Sequence, residues 1–109
     1  MKKIATLLSI CVMLSLAAFG AGPAGQWKNT NTSNTQPQNL TITISGTTLS
    51  GAMDGLNLTN TGTSGAFFWF HVVRSGVDYL YKGQLKGSNM QLSEVSSQSN
   101  RVLTFTPAP

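Results

Sequence analysis

The sequence predicts an all-β protein, an antiparallel up-and-down meander of about eight short strands closed as a small barrel, placed after an N-terminal signal helix. Three observations lead there. Apolar residues recur at every second position, the period of a strand with one buried face. Glycine-bearing turn signals separate these runs by only a few residues, which forces antiparallel neighbours because a parallel crossover needs a dozen or more. Thr and aromatic residues, which suit strands, outweigh the helix formers Ala, Glu and Lys. A β-sandwich is the alternative closure, since an open meander would leave two edge strands unpaired.

The first segment reads as an export signal. Lys2 and Lys3 precede the apolar stretch Ile4 to Phe19, and small residues Gly20, Ala21 and Gly22 follow. Ala18-Phe19-Gly20 puts small side chains at the first and third positions before a cut, so cleavage is expected after Gly20, or else after Gly22. Residues 1–20 are then a signal peptide and 21–109 a single β-barrel domain. The stretch is short for a bilayer span and carries Thr6, Ser9 and Ser15. The membrane is therefore met only before cleavage, and the product is exported to the periplasm or the extracellular space. Cys11, the only cysteine, leaves with the signal. Disulfides, cysteine nucleophiles and thiolate metal sites are thereby excluded from the mature chain.

Trp27 marks an opening strand. Leu40, Ile42 and Ile44 alternate with Thr41, Thr43 and Ser45 in the next, and Ser45-Gly46-Thr47 turns the chain into a return strand with Leu49, Gly51 and Met53. Asp54-Gly55 is a turn, Leu56 and Leu58 follow, and Asn60 to Gly65 reads as a turn region. Ala66 to Arg74 is the most apolar strand, closed by Ser75-Gly76. Val77, Tyr79, Tyr81, Gly83 and Leu85 alternate down the next, and Gly87-Ser88-Asn89 turns it. Met90 and Leu92 begin a strand that Ser96 to Asn100 ends, and Leu103 and Phe105 alternate in the last.

Charge is sparse. Only 9% of the 109 residues are charged, with a formal net charge of +4, against about a quarter charged in ordinary soluble domains. Without Lys2 and Lys3, the cations Lys28, Arg74, Lys82, Lys86 and Arg101 face Asp54, Asp78 and Glu94, an excess of two. That is no dense basic stripe, so nucleic acid is not an expected partner. Ser, Thr, Asn and Gln supply 36 of the 89 residues from Ala21 onward and must carry the solubility.

Catalysis is not expected either. The inventory is one histidine and three carboxylates, too few tunable groups for the usual acid-base sets. Asp54 is explained by its turn, Asp78 and Glu94 each stand alone in the sequence, and no nucleophile elbow frames a serine. A lone His71 makes a poor metal site, and no cofactor is implied.

The informative strand is Ala66 to Arg74. Alternation puts Phe68, Phe70 and Val72 on one face and Phe67, Trp69, His71 and Val73 on the other. Both faces are apolar, yet only one can be the interior of a single-layer barrel. The other is covered by the segment Ala21 to Gln38, or meets a partner, a second copy or another envelope protein, or forms a platform for a small hydrophobic or sugar-like ligand. An eight-stranded barrel is either filled by side chains or holds one small ligand, and large candidate fillers from Trp27 to Phe105 favour a filled one. The residues singled out for binding are Phe67, Trp69 and His71, with Tyr79 and Tyr81 next if a cavity exists.

The pieces also resemble calycin-type barrels, meaning lipocalin-like and avidin-like proteins. Gly25-x-Trp27-x-Asn29 looks like the start of avidin-like domains. The hairpin Gly46-x-x-Leu49-x-Gly51, the aromatic strand with Trp69 and the run Lys82-Gly83-Gln84 follow in that family's order. The resemblance implies a barrel and an avidin-like site drawn from Asn29, Ser33 and Trp69. The family's further tryptophan on the penultimate strand has no counterpart in Met90 to Val95, so the fold carries over more readily than the ligand. The expected function is a non-catalytic, exported binding or interaction module with the aromatic face around Trp69 as its contact surface. The alternative is a lipocalin- or avidin-like binder of a small hydrophobic molecule.

Overall fold

The structure, a computed structural model, describes residues 22–108. The expected signal peptide, with Cys11, lies outside the described residues. All regular structure among the described residues is β: β1 (Gly25–Asn29), β2 (Asn39–Ser45), β3 (Thr48–Met53), β4 (Leu56–Asn57), β5 (Thr59–Ser64), β6 (Phe67–Arg74), β7 (Val77–Lys86), β8 (Asn89–Val95) and β9 (Asn100–Pro107). They form one antiparallel sheet in the order β4-β3-β2-β1-β9-β8-β7-β6-β5.

The two ends of that order nearly meet. β4 pairs with β3 through Ala52–Asn57 and Met53–Leu56, while β5 pairs with β6 from Thr59–His71 to Ser64–Phe67. Residues 56–64 thus form the eighth strand of the circuit, broken at Leu58, and lie between β3 and β6. Across the remaining seam the Leu58 N–H donates to the Gly51 carbonyl at 3.0 Å and the Thr61 hydroxyl to the Leu49 carbonyl at 2.7 Å. The result is a nearly closed barrel.

One expectation is overturned here. Asn60 to Gly65 reads as a turn region because it is polar and holds two glycines, yet Thr59–Ser64 is a strand. β6 supplies the backbone partners, so pairing with a neighbour overrides weak local propensity. The irregularity the composition signals survives as a register shift between Thr59 and Gly62, with Asn60 at φ 45°.

The tight hairpins follow their residues. Asp54-Gly55 and Ser75-Gly76 both have positive φ at both positions (48° and 85°, 51° and 78°), the mirror-image turn whose twist matches that of the flanking strands. Such two-residue connections keep each strand beside its sequence neighbour.

Alternation sorts the side chains as expected. The interior holds Trp27, Leu40, Ile42, Leu49, Met53, Leu58, Phe68, Phe70, Val72, Tyr81, Met90, Leu92, Leu103 and Phe105, with Ile44, Tyr79 and Leu85 packed against them. Phe70 stacks with Tyr81 at a centroid distance of 5.2 Å. Large side chains of eight strand segments therefore fill the barrel with one core.

Candidate functional site

The barrel has two unlike places where chemistry gathers, one at an end and one on the outer wall. At the end carrying the turns after β3, β6 and β8, Tyr79 and Tyr81 point inward. Tyr81 is fully buried, and its hydroxyl donates to Glu94 Oε2 at 2.5 Å while accepting from Arg74 Nη2 at 2.6 Å. Glu94 does not stand alone. It is 0% exposed, and its other oxygen accepts from Arg101 Nε at 2.7 Å and from the Ser99 hydroxyl at 2.5 Å. The Arg74 guanidinium lies 4.1 Å from the Tyr79 ring centroid, a cation-π contact.

The electrostatics follow from this packing. Burial alone would raise the Glu94 carboxyl, but hydrogen bonds from Ser99, Tyr81 and Arg101, with the Arg101 charge, hold it below the ordinary carboxylate value. Burial pushes the Tyr81 hydroxyl up, as does its bond to Glu94. Tyr81 therefore stays protonated, as a donor to a carboxylate must.

A loop of residues 30–38 closes this end. Asn29 Nδ2 donates to the Pro37 carbonyl at 2.8 Å and to Gln36 Oε1 at 3.0 Å, and Arg101 Nη2 donates to the Thr35 carbonyl at 3.1 Å. Asp54 accepts from the backbone N–H groups of Gln38 and Asn39. The cluster is thus engaged in holding the loop and the barrel mouth, and Tyr81 has no polar atom to spare for a ligand.

The signal for this cluster lies in the sequence. Glu94 continues the inward series Met90, Leu92, and Arg101 precedes Leu103 and Phe105 on the same face. Alternation alone places an acid and a base inside the barrel, but only the pairing of β8 with β9, with Arg101 opposite Glu94, brings them together.

The second place is the outer face of β6 to β9. Phe67 is 57% exposed, Trp69 36% and Val102 62%, with Val73 and Val95 also exposed. Of the described residues before β2, Gly22 and Pro23 share a hollow with Phe67 and Phe68 at the edge of this face, Pro23 accepts a hydrogen bond from the Trp27 indole at 2.9 Å, and residues 30–38 sit at the barrel mouth. Phe67 and Trp69 nonetheless keep those exposures. His71 joins the face but pairs with Asp78 through Nδ1 at 3.1 Å, so Asp78 does not stand alone either. The Trp69 indole lies over Gly62 of β5, where a Cβ would overlap ring atoms. Glycine there gives the ring a seat.

The avidin-like trio is not assembled. Trp69 is on the outer wall, whereas Asn29 is buried inside with its amide committed to the loop, and the Ser33 hydroxyl bonds Thr35 at 2.8 Å.

The chain matches no protein-family model, no curated protein and no solved structure.

The calycin-like likeness therefore rests on architecture, an all-β antiparallel meander in a nearly closed barrel. Among the described residues no group of three or more His, Cys, Asp or Glu gathers to hold a metal ion.

Proposed function

We propose that the chain is a non-catalytic, exported binding or interaction module whose contact surface is the outer face of β6 to β9, centred on Phe67 and Trp69. The observation that supports it is the exposure of Phe67, Trp69 and Val73 on β6, Val95 on β8 and Val102 on β9, all on one side of the barrel. A concentration of exposed large apolar side chains on an otherwise polar surface is the usual mark of a contact site. The packed interior argues in the same direction, because the core side chains occupy the place an enclosed ligand would need. Catalysis finds little support. The His71–Asp78 pair sits on an open surface, and Glu94 is tied to two arginines.

The test is site-specific photo-crosslinking in cells, with the reactive side chain placed at Trp69 or at Thr41, an exposed position on β2 away from this face. Adducts concentrated at position 69 are expected, whether to a second copy, another envelope protein or a glycan. Equal labelling at both positions, or none at 69, would refute the reading.

A further inference from the structure

The outer face carries a groove of about 300 Å³ whose lining selects its occupant. Phe67 and Trp69 form one wall and Val102 the other, and Lys82, Gln84 and Gln91 stand between them. The register sets this order. Trp69, Lys82, Ser93 and Val102 form one row across four strands, and Phe67, Gln84 and Gln91 form the next. Trp69 is seated over Gly62, so one wall is organised in advance. Among the described residues no carboxylate lines the groove, and Asp78, on the same face of β7, is engaged by His71.

An occupant must offer apolar faces to the walls, hydroxyl or amide groups to the floor, and negative charge to Lys82. Gln84 Nε2 donates to Gln91 Oε1 at 3.5 Å, so an acyl chain would leave only the remaining amide groups of that pair, and the Lys82 ammonium, facing hydrocarbon. A second copy packed about a two-fold axis at the groove would set Lys82 against its own counterpart with no acid in the groove to offset it. An acidic saccharide meets every condition. The C–H face of a pyranose packs on an aromatic ring, its hydroxyls bond the amides, and its acid group pairs with the ammonium. Resting on the reading of this face as the contact surface, we propose that the groove binds an acidic polysaccharide, with sugar rings stacked on Trp69 and Phe67 and an acid group on Lys82.

The experiment is affinity electrophoresis and titration calorimetry of the purified protein with polygalacturonate, alginate and heparin, against neutral dextran and against polyglutamate. Binding to at least one acidic polysaccharide and to neither control is expected. Trp69→Ala should weaken it tenfold or more, and Trp69→Phe should restore part of it. Lys82→Gln should weaken it at least threefold and reduce its salt dependence, while Lys28→Gln on β1 leaves it unchanged. Equal binding of dextran or of polyglutamate, or no binding to any acidic polysaccharide, would overturn the inference. If binding fails while crosslinks still concentrate at position 69, the contact surface stands and only its saccharide partner falls. If both fail, so does the contact surface.

Discussion

Replacing Glu94 with Gln should be among the most damaging conservative changes in the barrel. The side chain is 0% exposed and accepts from Tyr81, Ser99, Arg101 and Arg74. Glu94→Gln keeps the shape but removes the charge that two guanidinium groups share. Removing one partner of a buried ion pair costs about 3–5 kcal/mol because it leaves the other charge uncompensated. Arg74 and Arg101 retain 23% and 34% side-chain exposure and recover some hydration, so the expected loss is at the lower end, about 3 kcal/mol. With a urea slope of about 1.5 kcal/mol/M, the unfolding midpoint followed by tryptophan fluorescence falls by about 2 M.

The pH dependence supplies a second reading of the same interaction. The folded Glu94 carboxyl lies below its ordinary value of 4.5, so its contribution is fully present above that value and is lost as pH falls through the folded value. The gap between wild type and Glu94→Gln should therefore be widest near neutrality and close on acidification. A midpoint shift under about 0.5 M at neutral pH, where the slope above puts the loss under about 1 kcal/mol, or a gap that stays constant into acid, would refute the argument that the charge anchors this end.

Three further outcomes test the fold and the wall of the groove. Phe70→Ala, at a fully buried position, should cost about 3–5 kcal/mol in urea unfolding, whereas Phe67→Ala, three residues away on the exposed face, should cost less than about 1 kcal/mol; similar losses would contradict the assigned faces. Ser75→Asn should raise the thermal midpoint, with a gain of about 0.5 kcal/mol, because Asn tolerates φ 51° better than Ser ahead of Gly76; a loss would mean the turn is not of the mirror-image type. Gly62→Val should displace the Trp69 indole, shifting tryptophan emission and destabilising the protein by about 1–3 kcal/mol; an unchanged spectrum would show that the ring does not lie there.

Much of this protein was legible along the chain. The series Leu40-Ile42-Ile44, Phe68-Phe70-Val72 and Met90-Leu92 name the interior, and Asp54-Gly55 and Ser75-Gly76 mark turns that the structure places between paired strands. Less legible was the stretch Thr59–Ser64, whose composition says turn and whose neighbour makes it a strand. Glu94 and Arg101 could be placed inside by alternation, but not beside each other. Trp69 could be placed outside, but its seat on Gly62 and its row with Lys82, Ser93 and Val102 could not.

The division has a physical cause. Which way a side chain points along a strand is a local property of the extended backbone, with a period of two, and turn chemistry is likewise set by two adjacent residues. The sequence by itself therefore determined the class, the meander and the two faces of each strand. Which residues stand opposite one another depends on register between segments and on how the first and last strands of the sheet approach. Only the tertiary structure decided that the barrel nearly closes across residues 56–64, that two arginines converge on one buried carboxylate, and that Phe67 and Trp69 face Val102 across a groove holding Lys82 and two glutamines.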